Sequence, residues 1–280
     1  MKKIIFLTGI CLCFAFPALA QDDDDNEFQS ARGIDYLPDD AEFAIGFDLS
    51  PVLNLIGGGG SNLGGGIDGR IFFKYFLDDE KALRAKLRVS SEYEATKYAV
   101  QNDQLVASDP LNVLATVVDV EHRSSTFVDL SLGIEFRRGS NRLQGFYGGE
   151  LVLGYNSGNN YKYDFANPMT EVNQSPTSSS FFYAPLGGRA TEYKEGKGFS
   201  VGLNLVLGAE YFIAPKLSIG GEFNLGFVTK LTEQNEVACE RWNTSANKIE
   251  KYNYRSNAWT GQNMDLKTRS TSVIYMMFHF

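Results

Sequence analysis

From residue 41 onward, apolar and polar side chains alternate, and the alternation restarts eight times along the chain. A period of two puts successive side chains on opposite faces, so each stretch predicts a β-strand whose two sides meet different surroundings. The first stretch sets Phe43, Ile45, Phe47 and Leu49 against Glu42, Ala44, Gly46 and Asp48. The second sets Ile71, Phe73, Tyr75 and Leu77 against Asp68, Arg70, Phe72, Lys74 and Phe76, and the third Leu83, Leu87, Val89 and Tyr93 against Arg84, Lys86, Arg88 and Glu92. The fourth has Val128, Leu130, Leu132, Ile134 and Phe136 against Asp129, Ser131, Glu135 and Arg137. The fifth opposes Leu143, Tyr147, Leu151 and Leu153 to Gln144, Phe146, Gly148 and Glu150. The sixth is the cleanest, with Phe199, Val201, Leu203, Leu205, Leu207 and Tyr211 against Ser200, Gly202, Asn204, Gly208 and Glu210. The seventh places Leu217, Ile219, Phe223, Leu225 and Phe227 against Ser218, Gly220, Glu222 and Asn224. The last carries Ile274, Met276, Phe278 and Phe280 on one side.

The connections alternate in length. Residues 51–66, 96–110, 156–197 and 232–267 are long and polar; residues 78–81, 139–141 and 214–216 are tight turns. An even number of strands, with short turns at one end and long loops at the other, is the pattern of a transmembrane β-barrel. The fold expected is all-β: an eight-stranded antiparallel up-and-down transmembrane β-barrel over residues 41–280. Its apolar side faces lipid, because an open edge or unpaired backbone there is too costly. A soluble sandwich or lipocalin-like barrel also alternates, but it turns its apolar face inward and would leave these charges and glycines without a use.

The polar side changes the picture further. It holds Glu42, Asp48, Asp68, Glu92, Asp129, Glu135, Glu150, Glu210 and Glu222 with Arg70, Lys74, Arg84, Lys86, Arg88, Arg137 and Arg269. Most cations lie on the second and third stretches and most anions on the others, so closure brings opposite charges together across the axis. The interior of an eight-stranded barrel is only wide enough for side chains, and buried charges must pair. A salt-bridged, water-containing plug is expected, built from Arg70, Lys74, Arg84, Lys86, Arg88, Asp129, Glu135, Glu150, Glu210 and Glu222. No large, stable conductance is expected of that arrangement.

Residues 1–20 read as a secretory signal: Lys2 and Lys3, an apolar run, then Ala18-Leu19-Ala20. Residues 21–40, with Asp22 to Asp25, read as an acidic, solvated periplasmic leader. Cleavage leaves 24 basic against 34 acidic residues, a net of −10, which excludes nucleic acid as a partner. It also leaves Cys239 as the one cysteine, so no intrachain disulfide is expected; the thiol falls in a long loop, free or bridged to another molecule.

The terminal stretch, with Ile274, Met276 and Phe278 on one phase and Phe280 last, resembles the C-terminal signal by which outer-membrane barrels are recognised and assembled. Strand count, turn alternation, charged interior and terminal Phe together resemble the small eight-stranded outer-membrane family typified by the transmembrane part of OmpA and by OmpX. That resemblance implies a Gram-negative outer membrane, with long loops outside and termini in the periplasm. It implies outer-membrane lipid, lipopolysaccharide and the barrel-assembly machinery as partners, and allows a larger outer-membrane complex. The anchoring role of the peptidoglycan-binding domain usual after an OmpA barrel is not expected of this chain.

Candidate chemistry is sparse. His122-Arg123-Ser124 with Glu135 is similar to the His-x-Ser plus Glu set of outer-membrane lipid A deacylases, in which a His activates a Ser hydroxyl. Glu135, however, has the opposite phase and lies about 36 Å along the strand from Ser124 at ~3.3 Å per residue. No metal-ligand spacing and no cofactor are expected, and Gly57 to Gly60 lacks the strand, helix and Lys of a phosphate cradle. The long loops hold Tyr161, Tyr163, Phe165, Phe181, Phe182, Tyr183, Trp242, Tyr252, Tyr254 and Trp259, which suit strands extended above the membrane or an adaptable contact surface. The function expected is non-enzymatic: a structural, surface-contact or accessory role. A small channel and a lipid A-modifying enzyme are the alternatives.

Overall fold

In the computed structural model, residues 35–49, 69–139, 142–255 and 263–280 are described. The expected signal, most of the acidic leader, the glycine-rich residues 51–66 and Asp68 lie outside them. Twelve strands appear among the described residues: β1 (Phe43–Asp48), β2 (Arg70–Asp78), β3 (Lys81–Gln101), β4 (Thr116–Arg138), β5 (Leu143–Asn156), β6 (Asn160–Asp164), β7 (Arg189–Lys194), β8 (Gly198–Ala214), β9 (Leu217–Thr232), β10 (Glu236–Asn243), β11 (Lys248–Arg255) and β12 (Asn263–His279). One short helix, α1 (Asp103–Ser108), is capped at Asn102, whose side chain accepts from the Leu105 amide.

Eight of these strands close on themselves. The order β1–β2–β3–β4–β5–β8–β9–β12 returns to β1, every neighbour antiparallel. Closure gives each strand a partner on both sides and removes the sheet edge. The seam lies between the first and last strands, where Ala44 faces His279 and Asp48 faces Tyr275. Phe43 and Phe280 exchange backbone hydrogen bonds of 3.3 and 2.8 Å and stack with ring centres 5.2 Å apart.

The faces separate as the alternation requires. Phe199, Val201, Leu203, Leu205, Leu207 and Tyr211 of β8 are all exposed, while Gly202, Val206 and Glu210 between them are buried. The outward row continues with Leu151 and Leu153, Phe223 and Leu225, and Ile274 and Phe278, with Met276 half-buried. Lys74, Arg84, Lys86, Arg137, Glu135, Glu150, Glu210 and Glu222 are buried inside. This is the inverse of a soluble protein, where charges cover the surface and apolar side chains fill the core.

The eight-strand expectation needs correcting outside the ring. β3 and β4 pair without a break as far as Gln101 opposite Thr116, so residues 96–110 hold the end of a strand and α1 rather than a loop. From Ser91 to Gln101 that hairpin runs on for about 33 Å at ~3.3 Å per residue. Residues 156–197 and 232–267 hold β6, β7, β10, β11 and the start of β12. β6 pairs with the upper half of β4, opposing Val120 to Asp164 and Ser124 to Asn160; β7, β10 and β11 follow in turn. Sequence patterning missed these strands because they are short, and charged residues interrupt any apolar row along them.

The end of the acidic leader is not solvated throughout: Tyr36 lies under the Arg142 guanidinium, 3.8 Å from cation to ring centre.

Candidate functional site

Residues of β2, β3, β4, β5, β8 and β9 meet inside the ring. Lys74 of β2 places its ammonium 3.0 Å from both Glu135 and Glu210. Arg84 of β3 reaches Glu135 at 2.9 Å, Glu150 at 2.6 Å, and also Glu222. Lys86, two residues on and therefore on the same face, lies 2.8 Å from Glu150 and 2.7 Å from Glu222. Arg137 of β4 completes the set at 3.1 Å from Glu135 and 3.0 Å from Glu210. Four cations meet four carboxylates, so this cluster is neutral. Neutrality and multiple partners are what offset the several kcal/mol that each buried ion loses in leaving water. Asn224, which accepts from Lys86 at 2.9 Å, and Ser218, which donates to Glu210 at 2.5 Å, satisfy further polar atoms.

Arg70, Arg88 and Asp129 stand apart from that cluster. Arg70 is 3.6 Å from Asp48, and Arg88 is 3.4 Å from Asp129 and 4.3 Å over the Phe127 ring. Glu92 is exposed and takes no part. No side-chain placement is described for Arg269. Ile274, Met276, Phe278 and Phe280 fall on the outward phase, with Val273, Tyr275, Met277 and His279 buried behind them.

Aromatic side chains that the alternation alone did not reveal pack around the ion cluster, and Phe76, Phe212 and His279 close the end of the ring nearest the tight turns. Phe72, Phe76, Phe146, Phe212, Tyr275 and Met277 are all fully buried, with Phe72, Phe146 and Tyr275 beside the cations of the cluster. Phe72 stacks on Tyr275 at 4.9 Å, and His279 sits between Phe76 and Phe212 at 5.6 and 5.0 Å. Lys74 lies 4.5 Å over Phe146 and Arg137 lies 5.0 Å over Phe76, so these rings also face the cations with π-electrons. Glycines opposite the rings make the room. A Cβ on Gly220, the cross-strand partner of Tyr275, would come 2.3 Å from that ring, and one on Gly208 would come 2.3 Å from Phe146. The signal was present in the sequence as Phe72, Phe76 and Phe146 on the charged phase of their strands.

Above the ion cluster the interior opens. A small space of about 20 Å³, enough for one water, lies among Arg88, Asp129, Asn204 and Asn224. Over it is a vestibule of about 490 Å³, lined by β3, β4, β9 and the connections around β7. Among the described residues the interior is therefore a cup: open above, filled by ion pairs in the middle and capped by aromatics below.

His122 lies outside this cup. Its Nδ1 is 2.6 Å from the Tyr93 hydroxyl and its Nε2 is 3.0 Å from Asp164, and its ring stacks on Tyr93 at 5.9 Å. Both ring nitrogens thus have partners, and neither partner is Ser124 or Glu135. The His-x-Ser plus Glu set that the sequence loosely resembles is not assembled; Glu135 is in the ion cluster instead.

Beyond the ring, Asp119 anchors the segment after β6, accepting from the amides of Ala166 and Ser179, each at 2.8 Å. Phe182 stacks on Tyr193 at 4.0 Å, and Arg189 pairs with Glu240 at 2.8 Å. Cys239 is buried on β10 against Ala190, Val237 and Tyr252, not exposed in a loop. Burial pushes its thiol pKa up, and pushes the Tyr252 phenol up to about 12. A maleimide is expected to label Cys239 at least roughly tenfold faster in urea than in the native protein, because the thiolate is the reactive form and access is blocked. Equal rates, read by mass spectrometry, would place the thiol at the surface.

No family model matches the chain, and no curated relative matches it. Among solved structures, the chain is similar to a major outer membrane protein from Thermus thermophilus, at 12% identity and a TM-score of 0.38, covering 86% of this chain and 99% of that one.

Proposed function

We propose that this chain is an outer-membrane β-barrel protein whose ring spans the lipid and is sealed by its own ion pairs, with a non-enzymatic structural, surface-contact or accessory role. The observation that carries the reading is the inversion of the ring: ionised side chains buried inside, and rows of Leu, Val, Ile and Phe exposed outside. In water that exterior would aggregate; in lipid it is the matching solvent. From Phe199 to Tyr211 the outward row covers about 40 Å of strand, or about 30 Å of height at the usual tilt, the thickness of a hydrocarbon core. Aromatics mark both levels, with Tyr155 and Phe199 at 5.2 Å near the loops, and Phe136 and Tyr147 at 5.6 Å near the turns. No helix among the described residues is long and apolar enough to cross a membrane, so strands would do the crossing. The tight turns then face the periplasm and the β3–β4, β6–β7 and β10–β11 extensions face outward, toward lipopolysaccharide.

The filled interior supports a sealed barrel over a channel. In planar bilayers the purified chain is expected to give no stable single-channel steps. Steady openings of porin size would replace the sealed reading with a conducting one.

A further inference from the structure

We propose that the vestibule is a binding site for a short, uncharged oligosaccharide. This holds whether or not the ring spans a bilayer, since it rests on the cup alone. The cavity of about 490 Å³ is of the size that takes a drug-sized ligand. It ends on the Arg88–Asp129 pair and the ion cluster below, so a ligand entering it stops there.

The wall chemistry selects the class. Its charged side chains are Arg88 and Lys230 against Glu92 and Glu195, two of each sign, which favours neither a polyanion nor a polycation. The remainder of the wall is hydroxyl and amide, with two rings, Phe127 and Tyr193. Sugars present that combination in reverse: hydroxyls that both donate and accept, and C–H faces that pack on aromatic carbon. The planar acceptors are already fixed. Glu195 accepts from the Asn159 amide at 3.0 Å and its side chain at 2.8 Å; Asn235 donates to the Tyr193 hydroxyl and accepts from the Gly196 amide, both at 2.8 Å. Tyr193 is clamped by Phe182 at 4.0 Å. Groups ordered before the ligand arrives need not be ordered by it, which leaves more of the contact energy for affinity.

The test uses the full chain in detergent, screened on a printed array of neutral and charged glycans. Maltotriose, chitotriose, inorganic tripolyphosphate and trilysine are then titrated calorimetrically. A neutral oligosaccharide is expected to bind. Ser125→Trp, which fills the mouth, is expected to weaken it at least roughly tenfold, and Glu92→Ala, at an exposed position, about threefold, the scale of losing one or two ligand contacts. Thermal unfolding shows that each variant is folded; if Ser125→Trp is not, Glu92→Ala decides. Three results would overturn the proposal: no neutral glycan retained, an affinity unchanged in the folded variants, or tripolyphosphate or trilysine binding more tightly than any saccharide.

Discussion

Arg84→Met is expected to destabilise the ring by about 3–5 kcal/mol, the penalty for leaving buried charge without its partner. Arg84 is the most connected cation of the interior, touching Glu135, Glu150 and Glu222. Methionine keeps most of the volume and removes the charge, which leaves four carboxylates facing Lys74, Lys86 and Arg137. The measurement is the urea midpoint of refolded protein, followed by the gel shift between folded and unfolded forms. Adding Glu222→Gln to Arg84→Met restores neutrality, and the double variant should regain about 0.5–3 kcal/mol, the usual coupling of neighbours in one network. A single-variant loss under about 1 kcal/mol, with no coupling, would mean that water and not ion pairing holds these groups.

Leu205→Arg tests the other face. Leu205 is 69% exposed and lies midway between Phe199 and Tyr211 on β8. If that face meets lipid, an arginine there costs about 2–4 kcal/mol, the value for the bilayer midplane. In water the same change at so exposed a side chain would be neutral or helpful. Leu111→Arg, at a side chain 91% exposed beyond α1, serves as the contrast and should cost close to nothing. Both are read as urea midpoints in phospholipid vesicles. Equal, small effects would sink the membrane reading while leaving the ring and its ion pairs in place, so the two experiments fail independently.

The ring was legible because its evidence is local. The Leu203, Leu205, Leu207 row fixes one face of β8, and Gly202, Asn204 and Gly208 fix the other, with no knowledge of the neighbours. The tight turn at Ala214–Pro215–Lys216 does the same for the β8–β9 hairpin. The extension was illegible for a matching reason. β10 runs Glu-Val-Ala-Cys-Glu-Arg-Trp-Asn, and its buried Val237 and Cys239 are too few to stand out against the charges around them. Its strand character comes from pairing with β7 and β11, which is a property of the assembled sheet.

The candidate site divides the same way. Sequence alone determined which side chains turn inward, since phase is set residue by residue along each strand. It therefore put Lys74, Arg84 and Lys86 inside along with Glu135, Glu150, Glu210 and Glu222. Only the tertiary structure decided who meets whom: Lys74 meets Glu210 from 136 residues away, at a height that strand register alone fixes. It also sent His122 to Tyr93 and Asp164, packed four inward phenylalanines with Tyr275 around the plug, and left a cavity above it. Alternation is a one-dimensional pattern and specifies a face; partners, seals and cavities depend on strand offset and ring closure, which no single strand encodes.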